Sequence, residues 1–213
     1  MKLTVFGATG ATGTCLVQHA VAAGHHVTAV VRDPARLAVP AHPRLRTVTA
    51  DVMDPAAIIP AIAGTDAVLS AIGPHGSGPT TISADSARSI IQAMRKSKSG
   101  VRRLITVSGS VVSDDGEGPV MRYLLKPLVR GTRLRHVCAD MRRAEDEIRE
   151  SNLDWTIMRP PRLTARAAAG TYRIAIYRNL PRGYTISRAD LAACMLTLLD
   201  DPATVRKHVC VAD

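Results

Sequence analysis

The 213-residue chain opens on an apolar run, Lys2-Leu-Thr-Val-Phe6, which reads as a strand. Gly7-Ala-Thr-Gly10-Ala-Thr-Gly13 follows, then an apolar-periodic stretch to Ala23, then Gly24 and a second run over His26–Val31. The order predicts strand, glycine turn, helix, strand. Arg44–Thr49 predicts a third strand ending at Ala50-Asp51-Val52, and Asp54-Pro55 opens a helix reaching about Ala63. Ala67–Ile72 reads as a buried fourth strand stopped by Gly73-Pro74, with a Gly/Ser/Pro-rich loop from His75 to Pro79. Thr80 to about Lys98 has helical spacing, with Ile82, Ala87, Ile90, Ile91 and Met94 on one stripe. Arg102–Val107 supplies a fifth strand. Strands alternating with helices predict an α/β fold: a Rossmann-like doubly wound parallel sheet, because parallel strands need crossovers.

The second half is less regular. Ser108–Pro119 reads as a polar loop and Val120–Ser151 as helix interrupted near Pro127 and Gly131. Trp155–Met158 is a sixth strand, ended by Arg159-Pro160-Pro161. A loop rich in alanine and arginine leads to a short strand within Tyr172–Tyr177. Ser187 predicts a helix cap, with Asp190 three residues on as an acidic variant of the capping box. That helix ends near Asp200, and His208–Val211 is a final strand. Neither a linker nor a repeat interrupts the pattern, so one domain spanning 1–213 is expected, with its substrate loops in the C-terminal half.

Composition narrows the class. At 46% hydrophobic and 22% charged the chain is globular, and its longest apolar runs fall short of a bilayer span. The first strand begins at Lys2, so no signal peptide is expected, and Cys15, Cys138, Cys194 and Cys210 are too scattered for a metal or redox pair. A cytoplasmic protein with reduced thiols is the expectation. The seven histidines show no ligand spacing, so no metal is expected. A formal charge of +10 invites polyanions, but aromatics make up 3% of the chain and no nucleic-acid motif is visible. No specific nucleic-acid partner and no membrane are expected.

The chemistry sits in the first turn. A glycine turn between strand and helix bares backbone N–H groups, and the helix N-terminus adds partial positive charge; together they suit a dinucleotide diphosphate. Gly7 would take a conformation closed to other residues, Gly10 would admit the pyrophosphate and Gly13 would let helix and strand pack. The spacing is G-x-x-G-x-x-G, not the commoner G-x-G-x-x-G, and an ordinary tight turn is the alternative. An NAD site usually ends its second strand with an acid on the ribose 2′-hydroxyl. Here Arg32 stands there and Arg36 follows, a pair suited to a 2′-phosphate, which favours NADP(H) with NAD(H) possible. Asp33-Pro34 doubles as a cap with proline at the first helical position, and Arg32 could equally be a solvated strand-end charge.

Several motifs recur together and in order elsewhere: the glycine turn, Val31-Arg32-Asp33, Asp51-Val52, Pro79-Thr80-Thr81, Arg149-Glu150-Ser151, Pro160-Pro161, Gly170-Thr171-Tyr172 and Ile186–Leu191. On them the chain resembles the atypical short-chain dehydrogenase/reductases of the NmrA-like NAD(P)-binding group, and within it most closely the biliverdin reductase B-type, NADPH-dependent flavin reductases. The resemblance implies NADPH at Gly7, Thr9, Gly10, Ala11, Thr12 and Gly13, with Arg32 and Arg36 at the 2′-phosphate. It implies Asp51 and Val52 at the adenine, Ile72 and Gly73 along the cofactor, Ser108 by the nicotinamide ribose and Pro160-Pro161 beside the nicotinamide. It implies a flavin as substrate, not as bound prosthetic group, or a similar small conjugated acceptor.

Two departures matter. The histidine that follows the Pro-Pro pair in those relatives is Arg162 here, and the serine after their fifth strand aligns with Gly109. The candidate catalytic residues are therefore Ser108, Ser110 and Arg162. Arg162 would suit an anionic acceptor; a surface position on a loop is the equal alternative. The Tyr-x-x-x-Lys pair of short-chain dehydrogenases is also missing: Tyr123-Leu-Leu-Lys126 is one residue short. The expected function is NADPH-dependent reduction of a conjugated acceptor, the alternative a non-catalytic NADP-binding redox sensor of NmrA type. The sequence does not set the oligomeric state.

Overall fold

The computed structural model describes residues 1–74, 76, 78–112 and 134–213. Its centre is an eight-stranded sheet. The strands are β1 (Lys2–Phe6), β2 (His26–Val31), β3 (Leu45–Thr49), β4 (Ala67–Ser70), β5 (Arg103–Val107), β6 (Asp154–Arg159), β8 (Arg173–Ile176) and β10 (Lys207–Ala212). They lie in the order β3-β2-β1-β4-β5-β6-β10-β8. All neighbours are parallel except β10 and β8, so the expected parallel sheet carries one antiparallel edge strand. β7 (Arg162–Thr164) and β9 (Thr185–Ser187) form a separate parallel pair. Neither was expected from sequence: three residues are too few to show a period.

Helices cover both faces. α1 (Ala11–Ala22) and α5 (Arg188–Thr197) pack together on one side, where Leu3, Val5, Leu16, Leu191 and Met195 form a fully buried layer. α2 (Pro55–Ile62), α3 (Ile82–Lys96) and α4 (Arg135–Arg149) cover the other, over Phe6, Ile58, Ile90, Leu104 and Ile157. Burying both faces explains why β4 is buried throughout, with Ala67, Val68 and Leu69 in an unbroken apolar run instead of an alternation. Tyr123, Lys126, Pro127 and Gly131 lie outside the described residues, as does the part of the Ser108–Pro119 loop beyond Val112.

Local chemistry sets the helix starts. The carboxylate of Asp54 accepts from the N–H groups of Ala56 and Ala57 at 2.9 and 3.3 Å and caps α2. Ser187 caps α5 as expected, its Oγ accepting from Asp190 N at 2.9 Å. Sequence spacing does not reveal the cap of α3. It comes from Asp140 on α4, whose carboxylate accepts from Ser83 N at 2.9 Å and Ala84 N at 3.2 Å. Asp140 has no exposed surface, so its charge is balanced by these donors and by the positive end of α3.

Candidate functional site

The strand order reverses about β1: β2 lies on one side of it and β4 on the other. Ligands of doubly wound sheets bind at such a switch point, at the carboxyl ends of the strands. An open cleft of about 830 Å³ lies there, lined by Gly7, Thr9, Gly10, Arg32, Asp51, Val52, Ile72 and Gly73 among others. These are residues nominated from the sequence. Phe6, Val30, Ala50, Met53, Ala71 and Ile82 line it too. Spacing does not single them out, although each adjoins or lies close to a motif residue.

The floor of the cleft is the glycine turn. Gly7 has φ +73°, and a Cβ there would lie 2.8 Å from the carbonyl carbon of Ala71. Gly10 N donates to Gly7 O at 3.0 Å and closes the turn. A Cβ on Gly13 would come within 2.0 Å of Gly7 O, so Gly13 is the residue that lets α1 pack onto the turn. Gly10 is also the N-cap of α1. It offers no side-chain acceptor, and the first turn contains no acidic residue. The N–H groups of Ala11, Thr12 and Gly13 have no partner inside the helix, so the turn keeps its donors and partial positive charge for an anion.

At the end of β2 the two guanidiniums stand exposed. Arg32 lines the cleft, and Arg36 closes the single turn Pro34–Arg36. Among the described residues neither has a carboxylate partner. Asp33 caps that turn, accepting from Ala35 N at 3.0 Å. Asp51, after the neighbouring strand β3, accepts from Met53 N at 3.0 Å. Each nearby acid therefore has a local structural partner.

The ends of β5 and β6 meet. Ser108 N donates to Met158 O and Ser110 N to Pro160 O, both at 2.8 Å. Asn179 Nδ2 reaches Ser110 O at 3.3 Å and adds the later loop. Ser108 lines a second hollow of about 440 Å³ between the sheet and α3 and α4; Ile72 borders both spaces. The Ser108 hydroxyl is buried with no protein partner, as is that of Ser83 in the same hollow. Pro160 is buried and Pro161 half-buried. Arg162 is exposed on β7, held by its backbone N–H on Tyr184 O at 3.3 Å, and lines neither space. The structure thus brings Ser108, Ser110 and Pro160 together and leaves Arg162 outside.

Behind the Pro-Pro pair lies a buried ion pair that local spacing could not reveal. Arg159 donates Nε to Glu145 Oε1 at 3.0 Å and Nη2 to Oε2 at 2.6 Å, with both side chains nearly buried. His208 Nε2 stands 3.6 Å from the same carboxylate. Burial, reinforced by the cations of Arg159 and Arg149, outweighs the pull of Glu145 and lowers the imidazole pKa to about 4. His208 is therefore neutral at ordinary pH, and Arg159 alone balances Glu145.

On the opposite face, Asp190 accepts from Ala169 N at 3.0 Å, Gly170 N at 2.9 Å and Ser187 Oγ at 2.7 Å. Burial pushes this carboxyl up, but the three donors prevail and hold it below its usual value. The alanine- and arginine-rich loop is thereby tied to α5.

The glycine cradle and the unclaimed N–H groups fit a dinucleotide, and the comparisons with known proteins agree. The yeast protein UPF0659 protein YMR090W (Saccharomyces cerevisiae) is 29% identical over 158 residues, 71% of this chain; the chain spans 64% of that relative's length. The oxidoreductase ylbE from Lactococcus lactis superposes with TM-score 0.81 at 21% identity, over 100% of this chain and 91% of its own. A wide-type short-chain dehydrogenase/reductase from Veillonella parvula, solved with NADP, superposes with TM-score 0.80 at 20% identity, over 100% and 94%. These similarities establish the α/β Rossmann-like fold. Residues 7–202 match the model of the NAD(P)H-binding family, from the first glycine of the turn to the proline before the last strand, and the chain belongs to that family.

Proposed function

We propose that the chain is an NADPH-dependent reductase that passes hydride to a flavin or a similar conjugated acceptor, in line with its resemblance to the biliverdin reductase B-type enzymes. The observation that carries the cofactor choice is Arg32 with Arg36: two exposed guanidiniums after β2, the first lining the cleft, both unpaired among the described residues, while Asp33 is occupied by its own turn. A 2′-phosphate would take charge-assisted bonds from both.

The residues at the ends of β5 and β6 support the acceptor class. Ser108, Ser110, Pro160 and Pro161 offer hydroxyls, backbone groups and apolar walls. The imidazole that the biliverdin reductase B-type enzymes carry next to them is replaced by Arg162, which is exposed and lines neither space. NADPH, when bound, supplies the hydride. The chain's part is to hold the two rings in contact and to exclude water, and a flavin can take its proton from solvent. The test is NADPH oxidation with riboflavin, FMN and a quinone. Turnover with at least one supports the reading; tight NADPH binding without turnover on any overturns it.

The second reading is a non-catalytic NADP-binding sensor. It is favoured by the titratable residues that line the two spaces: Arg32 and Asp51 lie at the ends of β2 and β3, and Glu145, in the hollow with Ser108, is bound to Arg159. A sensor must bind NADP⁺ and NADPH unequally. Equal affinities with measurable turnover would exclude it.

A further inference from the structure

We propose that the opposite end of the sheet holds a second anion site, for a small molecule carrying several phosphate groups. The inference is independent of the reductase chemistry. It begins from strand register. Lys2 on β1 pairs with His26 on β2, and Thr28 pairs with Arg46 on β3. Val27 N donates to Arg44 O at 2.7 Å, which sets Arg44 one position before Leu45 and in the row of Lys2 and His26. Residues opposite one another in a sheet project from the same face. Three basic side chains therefore stand in one row across three strands, and a fourth, Arg46, stands in the next.

That face is the one under α2, since Thr4, two residues after Lys2, donates its hydroxyl to Ala61 O at 2.7 Å. α2 stops at Ile62 and leaves the amino-terminal end of the strands uncovered. The result is an open cleft of about 810 Å³ lined by Lys2, His26, Arg44 and Arg46, with Ala63 and Gly64 on the helix side. Its size is that of a small-molecule site.

One acid, Asp66, stands against three fixed cations, so positive charge is in excess. Lys2, Arg44 and Arg46 have no carboxylate partner among the described residues. The carboxylate of Asp66, beside the row, already accepts the Lys2 N–H at 2.7 Å. Three fixed cations on neighbouring strands repel one another, Lys2 and Arg44 flanking His26 in the row and Arg46 standing one row on. A multiply charged anion would relieve that repulsion, and the two arginines offer paired donors to phosphate oxygens. The lining holds no Phe, Tyr or Trp on which a run of bases could stack, its one ring being the imidazole of His26, so the site suits a compact polyphosphate better than a nucleic-acid strand.

The experiment is calorimetric titration of the full chain with inorganic tripolyphosphate, with and without saturating NADP⁺. Binding that survives NADP⁺, weakens as salt is raised and falls about tenfold in Arg44→Ala/Arg46→Ala is the expected result. An Arg95→Ala/Lys96→Ala variant removes the same charge elsewhere and should bind normally; an equal loss there would reduce the effect to net charge and overturn the proposal. Competition with NADP⁺, or loss in Arg32→Ala, would place the anion in the cofactor cleft and also overturn it. Tighter binding of a single-stranded oligonucleotide that tripolyphosphate cannot displace would overturn the ligand class. A thermal melt and NADP⁺ titration on each variant check that the fold is intact.

Discussion

At Gly13 the spare room is negative: an added methyl carbon would lie 2.0 Å from a backbone oxygen, well inside van der Waals contact. Backbone cannot swing aside as a side-chain tip can. Gly13→Ala should therefore cost about 3 kcal/mol, the upper end of the overpacking range, and abolish nucleotide binding; urea denaturation and a nucleotide titration would show both. Gly109 behaves oppositely. A Cβ there would meet Met141 Sδ at 3.5 Å, an ordinary contact, so Gly109→Ser should be tolerated. Arg32→Ala should weaken NADPH by roughly 10- to 100-fold, the equivalent of about 1.5–3 kcal/mol for a charged hydrogen bond, while leaving NADH nearly unchanged. Fluorescence titration with the two nucleotides separates these outcomes. Equal losses for both would show that Arg32 does not read the 2′-phosphate.

Two contacts decide how firmly the helices sit. Asp140 joins α4 to the start of α3, and Glu145 joins α4 to the end of β6. Asp140→Ala should cost about 1–2 kcal/mol, the value of a lost cap. Glu145→Ala should cost more, about 3–5 kcal/mol, because it strands the Arg159 guanidinium in the interior. Chemical denaturation of the two variants would check that order. Neither contact was legible in the sequence, and the reason is physical: both join residues brought together by folding. What was legible is what local chemistry dictates. Asp33-Pro34, Asp54-Pro55 and the Ser187 cap act as expected, and the glycine spacing predicted where the turn packs tightly; Asp190 instead turns from the capping-box bond to the Ala169 and Gly170 N–H groups. The cleft residues after β1, β2, β3 and β4 could be read because strand ends in a doubly wound sheet converge. The position of Arg162 could not, because it depends on β7 pairing with a strand some twenty residues later.

At the scale of the whole molecule, acid is the natural stress. His208 titrates near 6.5 when the chain is unfolded and at about 4 when folded, so the unfolded state binds the proton first. Its contribution to stability is intact above pH 6.5, is lost progressively down to about pH 4 and changes no further below that. Asp190 acts lower: its depressed carboxyl stabilises the fold above the usual carboxylate value, and that stability goes as pH falls through the folded value. Urea midpoints should therefore decline in two stages on acidification, and His208→Gln should flatten the first. His208 belongs to β10, which is wedged between β6 and β8 even though it comes last along the chain. A ribosome that has yet to deliver residues 207–212 holds a sheet with a gap in it: β6 has a bare edge and β8 has nothing to pair with. Deletion of residues 207–212 should therefore leave two strand edges open and a chain prone to proteolysis.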